Sequence, residues 1–260
     1  MSSRAALAAL GALAALVLSA PAAAQEPAAK VRHGKALYGE YCLACHGANG
    51  SGLGGSGRPA GFGPGRVQDV QKARGPSLRG VGALAADLYL RTGYMPLRQA
   101  GDQPRRSRLL FGERDLQALI AYVASLGGGP SVPHPHPQRG NLATGLRLFT
   151  EHCAGCHQVV ARGGYVNGAV VPPLQDSTPR QVAEAVRIGP FLMPRFSERA
   201  LDDRELDSII RYVEYAKNPD DRGGWAIGHV GPVPEGMVTW FVAAAALVGM
   251  CVVLGRRLSS

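Results

Sequence analysis

Two short motifs in the sequence carry residues able to bind a redox cofactor. The pentapeptide C-x-x-C-H occurs as CLACH from Cys42 and as CAGCH from Cys153, and the two copies use four of the five cysteines. Two thiols at this spacing form thioethers with one haem, and the histidine that follows is placed to bind its iron. The sequence therefore predicts two covalently bound haem c groups, held by Cys42, Cys45, Cys153 and Cys156, with His46 and His157 as axial iron ligands.

Two other chemistries use the C-x-x-C spacing. A redox dithiol is expected in a βαβ setting, and a zinc site needs a second pair of ligands nearby. Neither context surrounds Cys42 or Cys153, and each motif has the additional histidine. Covalent haem attachment is the interpretation that accounts for both copies.

The segments around the two motifs form an internal repeat. GKALYGEYCLACH from Gly34 aligns with GLRLFTEHCAGCH from Gly145, and an aromatic residue follows each glycine at the same distance. This spacing puts the glycine and the ring on one face of a short helix, where glycine allows close approach by a second helix. The expected partners are the helices that close each half, whose apolar residues follow the spacing of one buried stripe. These are Leu116, Leu119, Ile120 and Val123 in the first half, and Leu206, Ile209, Ile210 and Val213 in the second.

Two methionines are predicted to supply the second axial ligand. Met95 and Met193 each follow a C-x-x-C-H motif, precede a closing helix and are followed by proline. Methionine is a known axial partner of histidine in haem proteins, and it raises the reduction potential. Pro76 and Pro172 each begin a P-x-L segment between the cysteines and the methionine. A backbone carbonyl in each segment is expected to accept a hydrogen bond from the ligand imidazole, the alternative being a simple turn-forming proline.

Both ends of the chain are hydrophobic. Residues 1–24 contain Arg4, an Ala/Leu-rich run and small residues, which predicts an export signal cleaved after Ala24 or a retained N-terminal anchor. Residues 237–255 have no charge and are long enough for one transmembrane helix. Basic residues begin the tail, residues 256–260, so the positive-inside rule predicts a cytoplasmic C-terminus and extracytoplasmic haem domains at the cell membrane.

The chain between these ends is long enough for two small domains. The predicted divisions are two haem domains, a Pro/Gly-rich linker and a juxtamembrane segment, at residues 30–126, 141–218, 127–140 and 219–236. The first domain is the longer one because of a glycine-rich stretch at residues 47–75, which predicts a surface loop of unassigned role.

The net charge of +9 is concentrated in the first half. Basic residues outnumber acidic ones in residues 25–126 and nearly balance them in residues 140–222. Arginines cluster after Met95, at positions Arg98, Arg105, Arg106 and Arg108. A basic face near a haem steers docking onto an acidic redox partner, and the alternative is solubility together with compensation of haem propionates. Export from the cytoplasm argues against a nucleic-acid partner.

Each half resembles a small monohaem cytochrome c domain of the His/Met kind, through its glycine/aromatic helix, C-x-x-C-H, P-x-L, Met-Pro and closing helix. The whole chain is similar to the dihaem cytochrome c subunit of the actinobacterial-type cytochrome bc complex, most specifically in the tail GGWAIGHVGPVPEGMVTW that precedes the span. The resemblance implies a mainly α fold, with two tandem cytochrome c-type helical haem domains followed by one transmembrane helix.

The resemblance also implies a place in respiration. Electrons would pass from the Rieske iron–sulfur protein through the first and second domains to a terminal cytochrome c oxidase. Cytochrome b and the Rieske protein would be partners within a quinol–cytochrome c oxidoreductase. The chain would have no catalytic residues and no small-molecule substrate of its own. The residues alone leave open a stand-alone membrane-anchored dihaem shuttle, a dihaem oxidoreductase with an open iron site, and a structural metal-binding module without haem.

Overall fold

The computed structural model describes residues 22–53, 75–97, 102–220 and 232–258. It is mainly helical, as predicted, and the described residues contain one two-stranded sheet. The helices of the first half are α1 (Ala22–Tyr41), α2 (Leu43–His46), α3 (Gly82–Arg91) and α4 (Glu113–Ser125). Those of the second half are α5 (Leu142–His152), α6 (Ala154–His157), α7 (Pro179–Ile188) and α8 (Asp203–Lys217), and α9 (Pro232–Leu258) follows.

Several sequence predictions concern residues outside this description. They are the signal up to residue 21, residues 54–74 of the glycine-rich loop, Arg98, and residues 221–231 of the juxtamembrane segment. The described residues belong to two compact units. One combines Met1–His134 with Glu184–Phe196, and the other combines Pro135–Ala183 with Ser197–Ser260.

In the first unit, α1 packs against α4 as the repeat predicts. The two helices approach closely at Gly34, because a Cβ atom there would overlap the carbonyl oxygen of Ala118. One turn further along α1, the ring of Tyr38 packs against Tyr122 with centroids 5.1 Å apart. The predicted apolar stripe of α4 is buried, with Leu119 completely inaccessible.

The second unit repeats this packing with α5 and α8. A Cβ atom on Gly145 would overlap the carbonyl oxygen of Ser208, and the rings of Phe149 and Tyr212 lie 5.2 Å apart. Helix α8 begins with a capping box, in which Asp202 and Glu205 each bind the backbone N–H of the other. The two halves therefore share one helix-crossing design, set by a glycine in each first helix.

The second unit also contains a hairpin that the helical repeat does not predict. Strand β1 (Gly164–Val166) pairs antiparallel with β2 (Ala169–Val171). Asn167 and Gly168 connect them with φ of 52° and 81°. Positive φ at both central residues is the geometry of a type I′ turn, for which Asn-Gly is the favoured pair. The Asn-Gly dipeptide, with Tyr165 and valines nearby, is thus a sequence pattern that indicates a β-hairpin.

Each end of the linker is hydrogen-bonded to the haem domain that adjoins it. Near its start, the carbonyl of Pro130 accepts a hydrogen bond from the Leu84 N–H of α3 at 3.1 Å. Near its end, residues of the 3₁₀ turn Pro137–Arg139 pack against α8. There the His136 N–H donates to Asp207 at 2.6 Å, and Arg211 donates to the carbonyl of Gly140 at 2.7 Å.

Helix α9 carries the predicted span. Residues Gly236–Leu258 are long and apolar enough to cross a membrane. The helix begins five residues before the predicted span, with Pro232 in its first turn, where a helix tolerates proline because the missing N–H has no intrahelical acceptor. Arg256 and Arg257 lie in its last turn, where cations suit the helix dipole.

Candidate haem-binding sites

Each C-x-x-C-H motif folds as a single helical turn directly after the glycine/aromatic helix. In the first, the Cys42 N–H donates to the Tyr38 carbonyl at 2.9 Å, and the His46 N–H donates to the Cys42 carbonyl at 2.9 Å. One turn therefore presents Cys42, Cys45 and His46 together. In the second, the same bonds join Cys153 to Phe149 and His157 to Cys153, at 2.8 and 2.9 Å.

All four motif cysteines are free thiols. The first cysteine of each motif is half-buried and the second is exposed. Burial raises the pKa of Cys42 to about 11 and that of Cys153 to about 12. Both thiols therefore keep their protons at neutral pH.

A proline carbonyl orients each histidine ring. The Nδ1 atom of His46 lies 2.9 Å from the carbonyl oxygen of Pro76, and that of His157 lies 3.2 Å from the carbonyl oxygen of Pro172. With Nδ1 engaged, Nε2 is the nitrogen left for a metal. Burial lowers the pKa of His157, which favours the neutral imidazole that binds metals.

Glycines allow the backbone segments to come this close. A Cβ atom on Gly75, whose φ is 140°, would overlap the carbonyl oxygen of Cys45. A Cβ atom on Gly163 would overlap the carbonyl oxygen of Val171, beside Pro172. Each proline carbonyl therefore reaches its histidine through a contact that only glycine permits.

Met95 lies in a loop fixed by hydrogen bonds on both sides. Its N–H donates to the Tyr89 carbonyl at 3.3 Å, and the peptide bond to Pro96 is cis. The returning chain is bound to α3, because the Ser107 N–H donates to Thr92 at 3.1 Å and its hydroxyl donates to Gly93 at 2.6 Å. The pairing of Met95 with His46 stays a prediction.

An ion-pair network anchors the helix that leads into this loop. Arg91, at the end of α3, donates to Asp87 at 2.8 Å and to both carboxylate oxygens of Glu113 on α4, at 2.5 and 2.7 Å. Asp87 is buried, with a relative exposure of 3%, whereas Glu113 is exposed. Arg91 thus ties α3 to the start of α4 at the base of the Met95 loop.

Met193 lies in a tight turn after α7. Its N–H donates to the Pro190 carbonyl at 3.0 Å, and the Phe196 N–H donates to Val186 at 2.9 Å. The segment Glu184–Phe196 groups with the first unit, and there Ile188 packs with Leu84, Ala85 and Leu88 of α3. The pairing of Met193 with His157 stays a prediction.

Comparison with known proteins places both halves in haem-protein families. Residues 31–127 match the family described as "Cytochrome c", and residues 140–213 match "Cytochrome C oxidase, cbb3-type, subunit III". The chain is 34% identical over 253 residues to the "Cytochrome bc1 complex cytochrome c subunit" of Corynebacterium diphtheriae, covering 90% of this chain and 84% of that protein. It is 35% identical over 259 residues to the protein of the same name in Mycobacterium bovis, covering 95% of this chain and 86% of the relative.

The chain belongs to the cytochrome c subunits of the cytochrome bc1 complex. A more distant relative is the "Cbb3-type cytochrome c oxidase subunit CcoP" of an Azospirillum species, at 30% identity over 199 residues, covering 69% of this chain and 60% of that protein. The predicted family and the predicted fold, two tandem cytochrome c-type domains with one apolar C-terminal helix, are both confirmed.

The donor set of this cytochrome c subunit fits covalent haem c. Each motif presents two free thiols and one imidazole on a single turn, and the imidazole is held through Nδ1. Two thiols at this spacing for the thioether bonds and an oriented histidine for the iron are what a covalently attached haem requires. Haem c binding therefore follows from both the residues and the family.

Three hydroxyl groups near these sites were not predicted to have roles. The Tyr38 hydroxyl contacts the backbone after His46, the Ser77 hydroxyl contacts the same backbone, and the Tyr212 hydroxyl contacts the backbone after His157. The repeat gives a partial sequence signal, because phenylalanine, at Phe149, stands in the second half where the first half has Tyr38.

Proposed function

We propose that this subunit is a membrane-anchored dihaem electron carrier of a quinol-oxidising cytochrome bc complex. It accepts electrons from the Rieske iron–sulfur protein and passes them to a terminal cytochrome c oxidase. Cytochrome b and the Rieske protein are its partners in the complex. The observation that carries the proposal is the duplicated site, a C-x-x-C-H turn with a carbonyl-bound histidine, in a chain of this family that ends in an apolar helix.

A covalently bound haem c would supply one-electron exchange. Cys42 and Cys45 would hold one haem and Cys153 and Cys156 the other. His46 and His157 would bind iron through Nε2, and Met95 and Met193 would supply the second protein ligand of each iron. Pro76 and Pro172 keep the imidazole rings oriented. With methionine as the second protein ligand, each haem would favour electron transfer over binding of oxygen or peroxide.

The basic segment after Met95 supports docking of the first domain on an acidic partner. Arg105 and Arg108 are exposed, and the segment is held beside Met95 through Ser107. Further along, Phe111 packs edge-on against Tyr41 with centroids 5.1 Å apart, next to Cys42. Positive charge at this position steers encounter with an acidic protein and makes the association rate fall with ionic strength.

The proposal also includes the orientation of the chain in the membrane. With Arg256 and Arg257 at the end of α9, the positive-inside rule puts the C-terminus in the cytoplasm and both haem domains on the extracytoplasmic side. An anchored carrier stays at the membrane surface, where its donor and acceptor also lie. Tethering of this kind raises effective concentration without any new contact.

Purification from membranes in mild detergent tests this function. A tag on the C-terminus should recover a b-type cytochrome and a Rieske protein with the chain, and haem staining after denaturing electrophoresis should give one band at its mass. Recovery of the haem-stained chain alone would favour a stand-alone shuttle. Binding of carbon monoxide to either reduced haem in the native protein would favour a dihaem oxidoreductase, and absence of haem staining a structural metal-binding module.

A further inference from the structure

A buried tyrosine hydroxyl holds the backbone after each predicted axial histidine, but the tyrosine comes from a different helix in each half. In the first half, the Tyr38 hydroxyl of α1 donates to the Gly47 carbonyl at 2.7 Å and accepts from the Gly50 N–H at 3.1 Å. In the second half, the Tyr212 hydroxyl of α8 donates to the Val159 carbonyl at 2.6 Å. The backbone that follows the histidine is therefore bound by a tyrosine of the first helix in one half and of the closing helix in the other.

The two packed ring pairs differ in one hydroxyl, since both rings of the first pair have one and only one ring of the second pair does. The first pair is Tyr38 with Tyr122, and the second is Phe149 with Tyr212. Phe149 occupies the position of Tyr38 and has no hydroxyl. Within residues 47–53, the part of the first loop that the structure describes, the hydroxyl that binds the backbone is that of Tyr38 and not that of Tyr122.

In the first half, the held loop continues directly to the acceptor of His46. The Gly50 carbonyl accepts hydrogen bonds from the Leu78 N–H at 2.9 Å and from the Ser77 hydroxyl at 3.0 Å. These residues follow Pro76, whose carbonyl oxygen lies 2.9 Å from His46 Nδ1. The Tyr38 hydroxyl, the loop, Ser77 and the Pro76 carbonyl therefore form one connected series of hydrogen bonds.

The second half has a parallel series with different members. The Leu174 N–H donates to the Ala161 carbonyl at 2.9 Å, and the Gln175 amide donates to the Val160 carbonyl at 3.2 Å. Both bonds join the loop held by Tyr212 to the segment that begins at Pro172. Pro173 stands where the first half has Ser77, so no side-chain hydroxyl is available there.

We propose that Tyr38, together with Ser77, and Tyr212 are positioning residues that fix the carbonyl acceptor of the axial histidine in their own half, and so set the reduction potential of that haem separately. This inference rests on the proposed haem ligation by His46 and His157. A firm hydrogen bond from Nδ1 makes the imidazole a more basic ligand, which stabilises ferric iron and lowers the potential. Loosening the acceptor therefore raises the potential of one haem and not of the other.

The hydroxyls of Tyr38 and Tyr212 stay protonated, as a hydrogen-bond donor must. Tyr38 has a relative exposure of 2% and Tyr212 of 7%. Burial raises the pKa of Tyr38 to about 12 and also raises that of Tyr212. Each phenol remains a hydrogen-bond donor throughout the neutral range, so the series does not depend on pH there.

The test compares three tyrosine-to-phenylalanine variants of the full-length holoprotein. Tyr38→Phe and Tyr212→Phe each remove a hydroxyl that binds a loop, and Tyr122→Phe removes one from the same ring pair without touching the loop bonds. Phenylalanine already occupies the position of Tyr38 in the second half, so folding should survive. Ser77→Ala is a second, smaller change, and Ser77→Thr keeps the hydroxyl.

Two measurements are made on each variant. Redox titration of the two haems, assigned with variants that lack one cysteine pair, gives the potentials. Hydrogen exchange of the peptide that contains Leu78 reports the loop bonds without using electron-transfer activity. Loss of one such bond should speed exchange there roughly two- to tenfold.

We expect Tyr38→Phe and Ser77→Ala to raise only the first potential and to speed exchange at Leu78. Tyr212→Phe should raise only the second potential, while Tyr122→Phe and Ser77→Thr should change neither. Unchanged potentials in Tyr38→Phe with both haems attached, or an equal rise in Tyr122→Phe, would overturn the inference and leave the proposed function intact. Absence of covalent haem from the unsubstituted chain would overturn the proposed function itself.

Discussion

The close crossing of α1 and α4 at Gly34 predicts that Gly34→Ala lowers the free energy of unfolding. A methyl group at this position would overlap the backbone carbonyl of Ala118 and lie 2.8 Å from the Cβ atom of Tyr122. Backbone atoms of a packed helix cannot rotate away, so α1 must shift relative to α4. Overpacking of this kind costs about 1 to 3 kcal/mol, and the rigid neighbours place Gly34→Ala in the upper part of that range.

Gly39 provides the matched control within the same helix. It is exposed, and a Cβ atom there meets nothing within 4 Å. Gly39→Ala therefore gains only the helix propensity of alanine, about 0.5 to 1 kcal/mol. Gly34→Ala has the same propensity gain, so the difference between the two variants isolates the overpacking cost.

Guanidinium denaturation of the full-length holoprotein, followed by circular dichroism and haem absorbance, measures this difference. Gly34→Ala should lower the midpoint of one transition, and Gly39→Ala should raise it slightly. Gly145→Ala should lower the transition of the other unit, because its Cβ atom would overlap the Ser208 carbonyl. Equal midpoints for Gly34→Ala and Gly39→Ala would refute the assigned helix crossing.

Three further changes, the last with a control at Arg147, test an iron ligand, the haem attachment and the Arg91 network. Met95→His should leave haem attached but lower one reduction potential, because methionine ligation raises it; an unchanged pair of potentials in a redox titration would contradict the ligand assignment. Replacing Cys42 and Cys45 together by alanine should halve the covalent haem in a pyridine haemochrome assay, and complete loss would show that the two haems are not attached independently. Arg91→Met strands a buried carboxylate and should destabilise by about 3 kcal/mol. Arg147→Met, which breaks an exposed i,i+4 pair, should cost under about 0.5 kcal/mol, and similar denaturation midpoints for the two would refute the burial argument.

Much of the fold was predictable because the halves repeat. The i, i+3, i+4, i+7 spacing of residues such as Leu116 and Leu206 gives helix position and buried face together. Gly34 and Gly145 predict where the first and last helices of each half cross, since a glycine on a face of larger residues lets a second backbone come close. The P-x-L segments of Pro76 and Pro172 pointed to the backbone carbonyls that lie beside the histidines.

Other features depend on backbone positions that side-chain patterns do not encode. The acceptors of Tyr38 and Tyr212 are carbonyls of irregular loops, and no periodicity tells which carbonyl a phenol will meet. The docking of His136 and Gly140 on α8 likewise uses main-chain atoms. The hairpin differs from these features because the Asn167-Gly168 dipeptide favours a hairpin turn. The surrounding helical repeat, however, gives no reason to expect a sheet.

The two attached ends of the linker have a consequence for changes in chain length. Pro130 supports the start of α3, and residues 136–140 are bound along α8. An insertion within either anchored part would displace hydrogen-bonded backbone and disturb a helix of the adjoining domain. Residues 131–134, which take part in none of these bonds, are where lengthening is tolerated. Divergence in linker length among related chains should accordingly concentrate in these four positions rather than spread through the proline-rich stretch.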